Sequence, residues 1–321
     1  MSQSTRTRLV ADIGGTNSRL ALYDPLADEL RSLRTYRNRD FGQFEEIIDA
    51  WLGALSEPRP PECCLAVAAP PFDERVTMLN IDWSFSLPEL ASQFNFDTLR
   101  AINDFEANAY ALPHLDKHEL SVLAQGRAGK GAKLATVGPG TGLGGATLSW
   151  IAGVPTASAS EPGHMGLTPA TELELELFRY LLPRSGEVYA ELLVSGPGLQ
   201  RLYQALGAIT GRTPVALSSE DISSRAQRKE CEHCELTLNT FCALLGSICG
   251  DYALANGAFG GLYLAGGFLS GMIAFLAQSD FVSRFVEKGK MRAHLEQVPL
   301  FVITGKTTGL LGAAHAPTAA A

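Results

Sequence analysis

The sequence has 321 residues, of which 46% are hydrophobic and 19% charged, and its formal net charge is −8 at pH 7. Such a composition is typical of a globular chain with a large core, and the length favours two domains or lobes. The acidic balance argues against nucleic acid or an anionic membrane as a partner. No apolar run is long enough to predict a membrane-spanning helix, and the N-terminus lacks the apolar centre of a signal peptide, so we expect a cytoplasmic protein.

Residues 9–23 contain two short apolar runs joined by a glycine-rich turn at residues 14–17, the pattern of a β-hairpin. Glycine allows backbone N–H groups to converge, and a concavity of N–H groups suits phosphate oxygens. Asp12 interrupts the first run, where it could hold a hydrated Mg²⁺. The alternative is a tight hairpin with a charged residue near its tip. Because an Asp within an apolar strand is costly unless paired or ion-linked, we favour the phosphate-binding interpretation.

The remainder of the first 112 residues alternates strand and helix patterns, recognised by their periodicities of apolar residues. The predicted elements are a strand at 28–38, an amphipathic helix at 41–55, a buried strand at 64–69, a strand at 76–80 paired with it, a helix opened by the capping-box pattern at 86–89, a strand at 99–102 and a helix at 106–112.

A second strand–turn–strand pattern covers residues 134–150, with its glycine-rich turn at residues 138–144. Because it repeats the plan of the first hairpin, we expect two related lobes that face each other across a nucleotide. Beyond it the chain is mostly helical. The predicted elements are helices at 173–181 and 188–193, a helix starting at 195, a long helix at 231–256, strands at 262–265 and 300–303, and a closing helix at 308–315.

The six cysteines fall into an apolar group of four and a closely spaced pair. Four of them, at positions 63, 64, 242 and 249, lie in apolar segments and are expected to be buried as small hydrophobic residues. Cys231 and Cys234 have the C-x2-C spacing of a zinc or redox site. A structural zinc site needs a second ligand pair, and only His233 is near, so we favour a helix start with incidental thiols.

Asp104 is the first candidate catalytic residue. It follows a predicted strand and precedes a helix, a position from which side chains point into the cleft of open α/β sheets. A carboxylate here could accept the proton of an attacking hydroxyl in phosphoryl transfer, and Asn103 could hydrogen-bond a neighbouring hydroxyl. The alternative is that Asp104 is simply a helix N-cap.

Three further segments are candidate binding loops. The turn at residues 138–144 alternates glycine with Pro139 and Thr141, and with the first turn it would form a triphosphate clamp. Glu161-Pro-Gly-His164 places a carboxylate and an imidazole in a loop of small residues, where they could bond sugar hydroxyls; a surface loop with incidental charges is the alternative. Residues 266–267, a Gly-Gly pair after a strand, would allow close approach of an adenine or ribose, or form a plain turn.

These motifs, in this order, resemble the bacterial glucokinase family, within the superfamily of hexokinases, actin and heat-shock ATPases. The first motif is shared by many ATPases, whereas the full series is specific and covers nearly the whole chain. The motifs lie at residues 12–17, 80–83, 102–105, 138–144, 161–164, 195–199, 260–267 and 309–312.

The resemblance implies an α/β, two-lobed actin-like ATPase (ribonuclease H-like) fold. It implies a smaller N-terminal domain of residues 1–112 with 305–321, and a larger, mostly helical α/β domain of residues 113–304. The implied protein is a glycolytic glucokinase, which uses ATP and Mg²⁺ to phosphorylate the 6-hydroxyl of glucose and forms a homodimer.

The resemblance also implies roles for individual residues. Asp104 matches the family's catalytic base. The implied sugar-binding residues are Asn103, Asp104, Glu161, His164 and Glu191. The implied nucleotide-binding residues are Asp12, which would hold Mg²⁺ through water, and Gly14, Gly15, Thr16, Asn17, Gly138, Gly140, Thr141, Gly142, Gly266 and Gly267.

Two alternatives remain at this stage. The same polar set could serve a kinase of mannose, fructose or an N-acetylhexosamine, because sugar choice depends on loop shape. A non-catalytic sugar sensor on the same fold would be expected to carry a DNA-binding extension or to lose the base, whereas Asp104 is present. The chain departs from the family pattern at Pro162, where a second glycine is usual; Pro fixes φ and stiffens the sugar loop.

Overall fold

The computed structural model describes residues 6–69, 74–78, 81–129, 131–213 and 215–318. The chain divides into two compact units. The first comprises Met1–Leu115, Ile151–Ala159 and Gly305–Ala321, and the second comprises Asp116–Trp150 and Ser160–Thr304.

The secondary-structure elements are numbered in chain order. The strands are β1 (Arg8–Ile13), β2 (Asn17–Asp24), β3 (Glu29–Arg37), β4 (Glu62–Val67), β5 (Arg75–Thr77), β6 (Ser84–Ser86), β7 (Thr98–Asn103), β8 (Leu120–Ala124), β9 (Leu134–Pro139), β10 (Leu143–Ile151), β11 (Val154–Ser160), β12 (Gly261–Leu264) and β13 (Leu300–Ile303). The α-helices are α1 (Phe44–Gly53), α2 (Leu87–Phe94), α3 (Asp104–Ala111), α4 (Glu172–Ser185), α5 (Ala190–Leu193), α6 (Gly196–Ile209), α7 (Ser219–Gln227), α8 (Glu232–Asn256), α9 (Gly267–Ser270), α10 (Ile273–Gln278), α11 (Phe281–Val286), α12 (Arg292–Leu295) and α13 (Thr308–His315).

The first unit is built on a five-stranded sheet with the order β3-β2-β1-β4-β7. The predicted hairpin is confirmed, because β1 and β2 pair antiparallel around the glycine-rich turn. In contrast, β1, β4 and β7 are mutually parallel, so their carboxyl-terminal ends share one edge of the sheet. The apolar side chains of α1, including Phe44 and Trp51, are fully buried in the core of this unit. That burial accounts for the helical spacing in residues 41–55.

Two local predictions in the first unit are corrected. The segment expected to pair with β4 forms β5 instead, and β5 pairs antiparallel with β6. Position 80, which opens one of the family motifs, lies outside the described residues. The helix expected from Glu106 begins at Asp104, because the Asn103 side chain caps it by accepting from the N–H groups of Phe105 and Glu106.

The second unit contains five strands in the order β10-β9-β12-β13-β8. The predicted second hairpin is confirmed by the antiparallel register of β9 and β10. Strand β12 lies parallel to both β9 and β13, so the ends of β9 and β12 also meet at one edge. Strand β8 and helix α7 were not predicted, because neither has a strong apolar periodicity.

Helix α8 is the central helix of the second unit. It is long and apolar enough to cross a membrane by length and composition, but 78% of its apolar window is buried within the protein. It is therefore a core helix, and Phe241 and Cys242 on it are fully buried. Its first turn confirms the predicted helix start, because the Sγ of Cys231 accepts from the N–H of Cys234 at 3.3 Å.

Candidate active site

The first glycine-rich turn is held in place by hydrogen bonds to Asn38, a residue that the sequence analysis did not single out. Gly14 N–H donates to the Asn17 carbonyl at 3.1 Å, which closes the turn. Asn38 then donates its side-chain amide to the Gly14 carbonyl at 2.7 Å and its backbone N–H to the Thr16 carbonyl at 2.9 Å. The Ser18 hydroxyl donates to the Asn38 Oδ1 at 2.8 Å. Asn38 is only 1% exposed, so it is a buried polar anchor with its hydrogen-bonding groups occupied.

Asp12 lies on β1 directly opposite Arg19 on β2, and its Oδ2 is 3.2 Å from the guanidinium. Burial raises the pKa of the Asp12 carboxyl, and the charge and hydrogen bond of Arg19 act against that rise. Gly309, in the first turn of α13, lies against the same carboxylate. A Cβ built on Gly309 would come within 2.9 Å of the Asp12 Cγ, so only glycine leaves room for this side chain.

Asp104 and Asn103 lie at the edge of the sheet where β1 ends. Ile13 pairs with Val67, and Val67 pairs with Asn103, so two strand spacings, about 10 Å, separate the ends of β1 and β7. Asp104 is the first residue of α3, and its Oδ1 accepts from the N–H of Phe105 at 3.0 Å. The N-cap role considered for Asp104 belongs to Asn103. Asp104 lies half-buried one position into the helix, where the N-terminus of the helix stabilises negative charge.

In the second unit, the turn between β9 and β10 is held by its own backbone and by α6. Gly140 N–H donates to the Gly142 carbonyl at 2.7 Å, and Gly196 N–H donates to the Gly140 carbonyl at 2.8 Å. Gly14, Gly140 and Gly142 do not have a left-handed φ, so their backbone conformation does not require glycine. A Cβ at Gly140 would enter open space, so neither backbone conformation nor packing requires glycine there.

Glu191 on α5 is built into the base of this turn. Its Oε2 accepts from the N–H of Leu143 at 2.9 Å. A Cβ on Gly142 would lie 2.5 Å from that oxygen, and one on Gly163 would lie 3.0 Å from it. At Gly163 the nearer atom is the Leu143 backbone carbonyl oxygen, 2.7 Å from a Cβ built there, so backbone packing requires glycine at that position. Glu191 lies against both glycines and so joins the glycine-rich turn to the Glu161–His164 segment.

The predicted sugar loop is a short 3-10 helix over Pro162–His164, with Glu161 and His164 exposed at its two ends. The His164 ring stacks on Tyr189 with centroids 5.6 Å apart. Pro162 is buried, and a Cβ on Gly145 would come within 2.8 Å of its Cγ. Pro162 thus packs against β10 and fixes the loop, as its restricted φ predicts.

Gly266 and Gly267 connect β12 to α9 beside the same turn. Gly266 has φ of +109°, which disfavours other residues, and a Cβ there would lie 3.2 Å from the Pro139 carbonyl. A Cβ at Gly267 would enter open space. Next to this segment, Phe268, Gly271 and α7 line an open cleft of about 340 Å³.

The predicted residues therefore form two groups, one in each unit. In the first unit the group comprises Asp12, the 14–17 turn, Asn103 and Asp104, at one sheet edge. In the second unit the group comprises the 138–142 turn, Glu161, His164, Glu191, Gly266 and Gly267. Sequence reasoning missed Asn38, which no local motif marks, and it gave Gly309, the first residue of the motif at 309–312, no role beside Asp12.

This fold is that of a sugar kinase with the actin-like ATPase fold, as predicted. A family model described as Glucokinase matches residues 9–320. Glucokinases of Saccharophagus degradans and Colwellia psychrerythraea are each 38% identical to the chain; the matches cover 95% and 98% of this chain and 96% and 97% of theirs. The chain belongs to the glucokinase family, which confirms the resemblance.

Solved structures agree. A crystal structure of a glucokinase from an Antarctic psychrotroph matches with a TM-score of 0.90 and 40% identity, and the match covers 97% of this chain and 98% of that one. A glucokinase from Balamuthia mandrillaris in complex with glucose matches with a TM-score of 0.76 and 23% identity, covering 98% of this chain and 94% of that one. The second match supports the fold alone.

Proposed function

We propose that this protein transfers the γ-phosphoryl group of ATP to the 6-hydroxyl of glucose, releasing glucose 6-phosphate and ADP. The proposal depends on the edge of the sheet at which β1 and β7 both end, because this edge brings Asp12 and Asp104 near each other. Membership of the glucokinase family supports the same reaction. We further propose that the protein is a cytoplasmic homodimer.

Asp104 is the proposed general base. Its position at the first turn of α3, fixed by the Phe105 N–H, favours the carboxylate form that accepts a proton. It would take the proton of the sugar hydroxyl as that oxygen attacks phosphorus. Asn103 uses its Oδ1 to cap α3 and presents its amide N–H groups as donors for a neighbouring hydroxyl.

Glu161, His164 and Glu191 are the proposed remaining sugar ligands. Glu161 and His164 are exposed, and the buried Pro162 between them holds the loop against β10. Glu191 already accepts from Leu143 with Oε2, so Oε1 is its proposed acceptor for a sugar hydroxyl. Two carboxylates and an imidazole on a rigid support suit the many hydroxyls of a hexose.

The glycine-rich turns are the proposed nucleotide site. Glycines at 140 and 267 are required by neither φ nor packing, which is expected where a ligand comes close to the backbone. Gly138, Thr141 and Gly142 complete the proposed phosphate turn in the second unit, and Gly14, Gly15, Thr16 and Asn17 the one in the first. Gly266 and Gly267, beside the cleft lined by Phe268, are proposed for the adenosine side.

Mg²⁺ is the proposed metal, and Asp12 would hold it through water. A carboxylate oxygen is the donor this ion prefers, and the lack of a side chain at Gly309 leaves room for the Asp12 carboxylate itself. The ion neutralises charge that develops on the transferred phosphoryl group. Arg19 pairs with the Asp12 carboxylate at 3.2 Å and orients it. Because the transition state of this transfer is loose, positioning by these residues supplies most of the acceleration.

A panel of hexoses with ATP and Mg²⁺, followed by coupled detection of ADP, tests the proposal. Glucose should give the highest kcat/KM, and Asp104→Asn should lower kcat by ~10²–10⁴-fold with the fold retained. Asp49→Asn, which alters an exposed carboxylate on α1, is the matched control and should leave kcat unchanged. Near-normal turnover of Asp104→Asn would remove Asp104 from the base role, and preference for another hexose would remove glucose. Light scattering coupled to size-exclusion chromatography tests the homodimer.

A further inference from the structure

Three metal-ligating side chains meet in the first unit, outside the proposed active site. Asp28 lies in the turn between β2 and β3, His114 follows α3, and His315 ends α13. One ligand atom from each lies within 4.8 Å of the others. Nothing in the proposed phosphoryl transfer uses these residues.

The central member of the cluster has an unsatisfied polar atom. The His315 side chain is only 6% exposed, and its Nε2 has no hydrogen-bond partner among the described residues. The Asp28 Oδ1 lies 3.3 Å from that nitrogen but is not aligned for a hydrogen bond with it. A buried ring nitrogen without a partner is costly, and ligation of an ion would satisfy it.

The other members can adjust to a common ion. The His114 and His315 rings stack with centroids 3.4 Å apart and planes 9° from parallel, so both cannot direct a lone pair at one ion without rotation. His114 and Asp28 are exposed, so His114 can turn while the buried His315 stays in place. The Tyr23 hydroxyl donates to the Asp28 Oδ1 at 2.9 Å and orients that carboxylate, as outer-shell partners of metal ligands do.

We propose that Asp28, His114 and His315 bind a divalent transition-metal ion such as Zn²⁺ or Ni²⁺. Two imidazoles and one carboxylate form a donor set that these ions accept, with water completing the coordination. Burial lowers the pKa of His315 to about 4 and also lowers the pKa of His114, so both rings are neutral at pH 7, the form that ligates. A bound ion would fasten the end of α13 to the β2–β3 turn.

A second acidic and histidine cluster in the chain supplies the control. Asp116, His118 and Glu119 also lie close enough to share an ion. In that cluster Asp116 and Glu119 already form a capping box, and the group is exposed or half-exposed. It lacks the buried, unpartnered nitrogen of the proposed site.

Isothermal titration of Ni²⁺ into the EDTA-treated full chain, without an oligohistidine tag, tests the proposal. We expect a single site whose affinity falls by about tenfold or more in His114→Gln and in Asp28→Asn. The control His118→Gln should bind as the unaltered protein does. Ni²⁺ should also raise Tm of the unaltered protein and of His118→Gln, but not of His114→Gln.

Because His114 and Asp28 are exposed, their variants are expected to fold, and circular dichroism checks this. Equal affinity in His114→Gln and the unaltered protein would overturn the proposal. Loss of binding in His118→Gln alone would also overturn it, because the ion would then occupy the exposed cluster.

Discussion

The side-chain amide of Asn38 donates to the carbonyl of Gly14 at 2.7 Å and so connects the segment after β3 to the first glycine-rich turn. The contact explains how a turn of small residues keeps one conformation. Two further bonds of Asn38, to Thr16 and from Ser18, fix the same turn from the protein side and leave its other side to solvent. Thr16, at the tip, is exposed.

Replacing Asn38 by Ala should therefore weaken ATP binding more than it weakens glucose binding. Loss of the buried amide leaves the Gly14 carbonyl unpaired, at a cost of about 1–3 kcal/mol in stability. Steady-state kinetics should show an increase in KM for ATP of about tenfold, with a smaller change for glucose. Asn256→Ala is the matched control, since Asn256 donates to the Tyr252 carbonyl at 2.9 Å within α8. If both variants change KM for ATP equally, the effect is one of general stability and not of turn geometry.

Gly140 and Gly142 should respond differently to substitution by Ala. A Cβ at position 140 enters open space, so Gly140→Ala should unfold like the unaltered protein yet raise KM for ATP if phosphates occupy that space. A Cβ at position 142 would lie 2.5 Å from the Glu191 Oε2, so Gly142→Ala should displace Glu191 and raise KM for glucose. Gly53→Ala, also with open space around its Cβ, controls for adding a methyl group. An unchanged KM for ATP in Gly140→Ala would argue against phosphate contact at this residue.

Glu191 has a structural and a proposed binding role, and two substitutions separate them. Glu191→Gln keeps an oxygen that can accept from Leu143 N–H, so stability should be retained while the charge offered to glucose is lost. Hydrogen bonds to charged groups contribute about 1.5–3 kcal/mol, so KM for glucose should rise by roughly tenfold or more. Glu191→Ala should in addition destabilise the hairpin, because Leu143 N–H loses its partner. A normal KM for glucose in Glu191→Gln would leave this residue with its structural role alone.

Sequence periodicity located most of the fold because each long element carries its own signal. The hairpin of β1 and β2, the amphipathic α1 and the buried α8 all follow from apolar spacing. The segment before residue 80 was wrongly paired with β4. A short strand of three residues has too little pattern to specify its partner, and β5 instead pairs with β6.

The site was predictable only where local chemistry marks it. The glycine-rich turns and Asp104 stand out in the sequence, but the reason for the glycines does not. A Cβ on Gly142 would meet Glu191, one on Gly163 would meet the Leu143 carbonyl, and one on Gly309 would meet Asp12, and each of these partners is distant in sequence. Asn38 acts on a turn more than twenty residues before it. These residue choices depend on tertiary contacts between segments distant in the chain, which a short stretch of sequence does not reveal.

Glu174 and Arg284 form the buried ion pair that should dominate the electrostatic stability of the second unit. Two N–H···O bonds of 2.5 and 3.2 Å join the guanidinium to the carboxylate. The Arg284 side chain is 8% exposed and the Glu174 side chain is 3% exposed. Glu174→Gln leaves the buried guanidinium without a countercharge, which should cost about 3–5 kcal/mol, measured by urea unfolding. The exposed pair of Arg292 and Glu296 is the control, and Arg292→Ala should cost less than about 1 kcal/mol.

The double variant Glu174→Leu with Arg284→Met distinguishes a favourable ion pair from a merely buried one. Removing both charges together avoids the uncompensated group, so the double variant should be more stable than either Glu174→Gln or Arg284→Met. Glu174 also accepts from the N–H of Ala170 at 2.7 Å. The double variant loses that bond, so it should still be less stable than the unaltered protein. If the double variant unfolds at a lower urea concentration than both single variants, the ion pair itself stabilises the fold, and the expectation is wrong.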